Sequence, residues 1–199
     1  MGLRERRRRS AMRTIQERAL DLFDANGFAA VTIEEIAAAA EVSPSSVYRY
    51  FGTKEGIVVA DEFDAMSQEA VADLLDADDP VGSLARIVRT YEEASTSPQR
   101  RVRYFFQEPS VRSAVCAALD RASERIAPLL ATGGMTPLQT RVATNAVVFG
   151  YFAALEQWHL DGGTAPIAKY VEDGLRPLRR IWGSGEPGDE VPLGDLADR

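Results

Sequence analysis

The sequence predicts an all-α protein: an N-terminal head of three helices containing a helix-turn-helix, followed by a longer helical body. Three observations predict it. Apolar residues recur at three- and four-residue spacing along most of the chain, as on one face of a helix. Helix start signals recur between them, as at Thr32–Glu35, Ser43–Pro44 and Thr136–Gln139. No stretch alternates apolar and polar residues as a half-buried strand would.

The chain begins with a basic segment. Residues 1–18 hold seven Arg against two Glu, within a chain whose net charge is −7. The charge is therefore unevenly spread, and residues 1–9 read as a basic arm able to reach phosphates or a minor groove. No apolar stretch follows it, so it is not a secretory leader.

Thr32 followed by Glu35 is a capping box, which starts a second helix at about Thr32, with Ile33, Ile36, Ala37 and Ala40 at helical spacing and Val42 as an apolar plug. Ser43 as N-cap and Pro44 at the first helical position restart a helix that runs Pro44 to Tyr50. Val47 and Phe51 point inward. Ser45, Ser46, Tyr48 and Arg49 lie on the other side, a surface of hydroxyls, a phenol and a guanidinium suited to phosphates and base edges of a major groove. Thr53 caps the next helix, whose start carries Lys54 as an expected phosphate clamp.

These residues resemble the TetR family of bacterial transcription regulators over roughly Ala11 to Gly56, through Ala19, Leu22, Phe23, Gly27, Phe28, Thr32, Ile36, Ala37, Val42, Ser43, Tyr48, Phe51 and Lys54. The resemblance implies that Thr32, Tyr48, Tyr50 and Lys54 hold phosphates of operator DNA, while Pro44, Ser45, Ser46 and Arg49 face bases. Two positions depart from the pattern. Glu41 stands where the family usually has Gly, so a left-handed cap there costs about 1 kcal/mol, and Gly56 weakens the start of the helix after Thr53.

Beyond Lys54, helices are expected over 53–75, 80–94, from Ser97, 109–130, 136–160 and 166–182, with an acidic, disordered tail at 183–199. The domains are then an arm (1–9), a DNA-binding head (10–56), an effector-binding and dimerisation body (57–182) and the tail. On the helix 136–160, one side carries Gly150, Ala154 and Trp158. With Val171, Gly174 and Leu178 of the last helix it is assigned to a homodimer interface, the alternative being packing within the chain. The opposite side carries Asn145, Phe149 and Phe152. With Tyr91, Tyr104 and Gln107 these are assigned to a small-molecule effector pocket.

Other classes are excluded. The single Cys116 forbids an internal disulfide, and with the single His159 it leaves too few soft ligands for structural zinc. No phosphate loop or catalytic constellation appears, so the chain is read as no enzyme, with no cofactor and no metal. No apolar run spans a membrane, and a cytoplasmic location is expected. The reading is a homodimeric repressor released from DNA by a small molecule. The alternative is a DNA-binding architectural or protein-partnered regulator without such a ligand.

Overall fold

Capping sets the geometry of the head. The structure is a computed structural model describing residues 3–61, 63, 66–94, 97–131 and 134–181. Helix α1 (Leu3–Asn26) runs unbroken from the arginine segment into the apolar stretch, so the expected separate arm is helical from Leu3 onward. Nothing in that segment opposes a helix, since Arg is a good helix former. Helix α2 (Ile33–Ala39) starts on a complete capping box: the Glu35 N–H donates to Thr32 Oγ1, and the Thr32 N–H to Glu35 Oε2 at 2.8 Å. Helix α3 (Pro44–Phe51) starts where Ser43 Oγ accepts the Ser46 N–H, and it buries Val47 and Phe51. Between them Glu41 takes φ 56°, the one non-glycine residue at positive φ among the described residues. The cost expected there of about 1 kcal/mol relative to Gly is thus incurred.

The helix expected over 53–75 is instead two short ones, α4 (Lys54–Val59) and α5 (Gln68–Leu74). Ala60 leaves the helix at ψ 132°, and Ser67 begins a new one by accepting the Ala70 N–H. Gly56 is not merely a weak helix former. A Cβ there would lie 2.0 Å from the Phe51 carbonyl oxygen, so only glycine lets the end of α3 approach the first turn of α4.

The body comprises α6 (Pro80–Ala94), α7 (Ser97–Gln107), α8 (Pro109–Ile126), α9 (Pro137–Leu160) and α10 (Ile167–Leu175). Two helices stop earlier than expected, each followed by a 3-10 turn, Ala127–Leu129 and Arg176–Ile181. Pro128 and Pro177 explain both stops, because a proline ring collides with the carbonyl four residues back. Glu92 of α6 caps α10 from outside: its carboxylate accepts the N–H groups of Ile167 at 2.6 Å and Ala168 at 2.8 Å. The tail expected at 183–199 lies outside the described residues. One buried apolar cluster runs from Ile15 to Leu175, and Ile57 and Val58 belong to it, so the boundary expected at 56/57 falls inside α4.

Candidate DNA-reading face and effector cavity

On α3 the outward residues are Pro44, Ser45, Tyr48 and Arg49, all exposed, with Tyr48 at 49%. Ser43 Oγ lies 2.9 Å from both Ser45 Oγ and Ser46 Oγ, so the three hydroxyls form one local network at the helix start. The Arg49 guanidinium lies 4.9 Å from the Tyr50 ring centroid and donates to Tyr50 Oη at 3.2 Å. Tyr50 is thereby a platform that orients Arg49. Thr32 is exposed, but its hydroxyl is already engaged with Glu35.

Lys54 does not face outward as expected. Its ammonium donates to the carbonyls of Phe28 (2.7 Å), Val31 (2.9 Å) and Ala29 (3.4 Å), and lies 4.5 Å from the Phe28 ring centroid. An ammonium has three donors, and three carbonyls take them, which leaves none for a phosphate. Lys54 is a brace between α4 and the loop joining α1 to α2.

The end of α4 is held just as fully. A helix leaves its last four carbonyls without partners in the helix. Here Gln16 Nε2 of α1 donates to those of Ile57 and Ala60, and Arg101 of α7 donates to those of Val58 (2.6 Å) and Val59 (2.8 Å). Asp24 of α1 adds a second joint to α7, accepting from Tyr104 Oη (2.6 Å), Arg100 Nε (2.9 Å) and Arg103 (2.7 Å). Burial pushes the Asp24 pKa up, but the hydrogen bonds from Tyr104 and Arg100 and the charges of Arg100 and Arg103 outweigh it and hold it below the ordinary 3.8. A depressed carboxylate pKa stabilises the fold above the ordinary value, and that stabilisation is lost as the pH falls through the depressed one. Asp24→Asn is therefore expected to lower the melting temperature at pH 7. The deficit should shrink below pH 4 in thermal melts of both proteins. A deficit independent of pH would show that the Asp24 charge does not hold this joint.

A cavity of about 190 Å³ lies within the body directly behind α4. Leu84, Ile87, Phe105, Val115, Leu119, Ile126 and Val148 form apolar walls, while Asp61, Tyr91, Arg101 and Tyr151 bring polar groups to it. Of the six residues expected to line an effector pocket, only Tyr91 lines this cavity. Tyr104 is turned to Asp24 and packs on Phe23 and Phe28. Gln107 is exposed at the end of α7. Asn145 accepts from Ser123 and lines a separate depression between α8 and α9. Phe149 is 38% exposed, and Phe152 stacks on Phe106 at 5.1 Å beneath Arg112. The face of α9 that meets the cavity is Val148 and Tyr151, about 100° around the helix from Phe149 and Phe152.

Most of the residues assigned to a dimer interface pack inside this chain. Val171 is fully buried and Ala154 is 7% exposed. Trp158 is 3% exposed, its Nε1 donating to the Ala165 carbonyl. A Cβ on Gly150 would lie 2.6 Å from Leu175 Cδ2, and one on Gly174 3.6 Å from Ala154 Cβ. The small residues do permit close helix approach, but of α9 to α10 in the same chain. Gly174 and Leu178 border a groove on the outer side of this pair. A different stripe of α9 remains uncovered: Leu138 (72% exposed), Val142 (60%), Phe149 and Leu160 (71%).

Fold and head together define an all-α helix-turn-helix protein whose reading helix is fixed to a cavity-bearing body. Residues 15–60 match the family model described as bacterial regulatory proteins, tetR family. The HTH-type transcriptional regulator TcmR of Streptomyces glaucescens is 40% identical over 58 residues, 29% of this chain and 26% of that protein. The match thus spans about a quarter of that relative. The fold extends further. The crystal structure of NalD, the secondary repressor of the MexAB-OprM multidrug efflux pump in Pseudomonas aeruginosa, aligns with 86% of this chain and 96% of its own, at TM-score 0.55 and 21% identity. That of Thermus thermophilus FadR, a TetR-family transcriptional repressor in complex with lauroyl-CoA, aligns with 92% and 100%, at TM-score 0.52 and 22% identity. The likeness to the TetR family thus lies in the head, residues 15–60, while the solved structures share the fold of most of the chain. Among the described residues, no helix is long and apolar enough to cross a membrane.

Proposed function

We propose that this protein is a homodimeric, sequence-specific transcription repressor of the cytoplasm that leaves its operator when a small molecule enters the body. The observation that carries the reading is the exposed face of α3, with Ser45, Tyr48 and Arg49 outward on a head that matches the TetR family. Tyr48, Tyr50 and the start of α2 at Thr32 contact phosphates, while Pro44, Ser45, Ser46 and Arg49 face bases. Two heads are needed, because one short helix reads too few bases and a palindrome is read by two heads about 34 Å apart or a multiple of it. The uncovered apolar stripe of α9 supplies the two-fold contact, with Gly174 and Leu178 at its margin.

The cavity behind α4 supports the release step, since its wall includes Arg101, which also holds the end of α4. A ligand shifts the equilibrium between head placements by its differential affinity for them. The complex of Thermus FadR with lauroyl-CoA supports an effector with a large apolar part. Selecting bound fragments from the source genome identifies the operator, and titration of Arg49→Ala against it tests the reading. The variant is expected to lose roughly 1–3 kcal/mol at particular base pairs. Equal loss on operator and random DNA would remove Arg49 from base reading.

A further inference from the structure

We propose that Tyr50 sets how sharply the protein distinguishes a guanine at the base pair that Arg49 faces, without itself touching a base. The proposal rests on the DNA-reading assignment of Arg49 above. It adds a positioning residue and names the base.

An arginine on a helix surface samples many rotamers, and ordering such a side chain at an interface costs about threefold to tenfold in affinity. A guanidinium already held in the free protein escapes most of that cost. Arg49 is held in two ways, both by Tyr50. Its guanidinium lies 4.9 Å from the ring centroid, within the range of a cation–π contact, and its Nη2 donates to Tyr50 Oη at 3.2 Å.

The platform is itself anchored. Tyr50 packs on the buried cluster of the head, its ring edge-on to that of Phe51 at 6.4 Å and 83°, and Phe51 is 9% exposed. The Phe51 carbonyl in turn abuts the first turn of α4, where only glycine leaves room. The hold on Arg49 therefore runs through Tyr50 into the core, and not to another exposed side chain.

The way Arg49 is held selects the base. A guanidinium has five N–H donors and no acceptor, and the bond to Tyr50 spends one, which leaves four. A pair of these can meet the O6 and N7 acceptors of guanine together, whereas adenine offers N7 beside an amino group that is itself a donor. Stacking on Tyr50 fixes the plane of the fork. Two parallel hydrogen bonds tolerate less tilt than one, so loss of the platform costs a guanine more than an adenine. Tyr50 Oη only accepts from Arg49, and its own proton can still go to the phosphate assigned to it.

The test selects duplexes with a randomised central segment on the full-length protein. Dissociation constants are then measured at fixed salt for the enriched duplex and for versions with one guanine changed to adenine. Arg49→Ala should abolish the preference at one guanine and so identify it. At that position Tyr50→Leu, which removes ring and hydroxyl, should cut the guanine-over-adenine ratio about threefold to tenfold, and Tyr50→Phe, which keeps the ring, about threefold. In the Arg49→Ala background neither should change the ratio further, because a positioning residue acts only through the residue that it positions. Loss of a phosphate contact or of packing weakens both duplexes alike, so the ratio separates those effects from this one. Tyr50→Phe keeps the packing on Phe51 and decides the matter if Tyr50→Leu does not fold. An unchanged ratio in Tyr50→Phe, or a loss that adds to that of Arg49→Ala, would overturn the proposal while leaving Arg49 a base reader. A ratio that rises would overturn it too, since Tyr50 would then hold Arg49 back from the base. Discrimination that survives Arg49→Ala at every guanine would overturn the assignment of Arg49 on which the proposal rests.

Discussion

Lys54→Met is expected to destabilise the protein by about 2 kcal/mol while leaving the salt dependence of DNA binding unchanged. The ammonium occupies three carbonyls of the loop between α1 and α2, and the variant leaves all three without that donor. A hydrogen bond to a charged group contributes roughly 1.5–3 kcal/mol, and these carbonyls are only partly shielded, so water recovers some of the loss. Methionine keeps the apolar stem over Phe28. For a protein of this size the shift amounts to roughly 4–8 °C in melting temperature. A phosphate contact behaves differently: its removal lowers the slope of log affinity against log salt by about 0.9. Thermal melts and operator titrations at several salt concentrations separate the two. A lowered slope with unchanged stability would return Lys54 to the DNA surface.

If the protein dimerises through the uncovered stripe of α9 as proposed, Phe149→Glu is expected to give monomer and to weaken operator binding at least a hundredfold, with helical content unchanged. Phe149 is 38% exposed in the single chain and lies on the same stripe of α9 as Val142 and Leu138, so the fold does not depend on its burial. In a two-fold contact the same patch meets itself. Two carboxylates are then brought together and removed from water, and nothing among the stripe residues offers a countercharge. Separate heads lose the effective concentration that links their half-sites, which is a factor of roughly 10² to 10⁴. Sedimentation velocity at micromolar concentration and an operator titration check both parts. A variant that stays dimeric would place the interface on the Gly174 and Leu178 side.

What the sequence made legible was what it decides locally. The caps at Thr32, Ser43, Thr53 and Thr136 and the inward pair Val47 and Phe51 are set by residues within one turn of each other. The positive φ at Glu41 was readable for the same reason. The joints were not. Lys54, Arg101 and Gln16 end on carbonyls 23 to 44 residues away, and a carbonyl acceptor has no letter in the sequence. The cavity face of α9 was missed for another reason. That helix carries apolar residues on nearly every side, buried at Val147, Val148 and Phe152 and exposed at Val142 and Phe149, so spacing alone selects no single face.

The braces at both ends of α4, from Lys54, Gln16 and Arg101, share one construction: a side-chain donor on one element and main-chain oxygens on the other. Mutational tolerance across the joint is therefore lopsided. A substitution at Ile57, Val58 or Val59 that keeps the helix leaves the acceptors at its end in place, whereas loss of Lys54, Gln16 or Arg101 strands two or three at once. Lineages descending from such a protein are free to diversify the apolar end of α4 and the apolar cavity walls, while Lys54, Gly56 and the long polar residues that reach across stay under constraint.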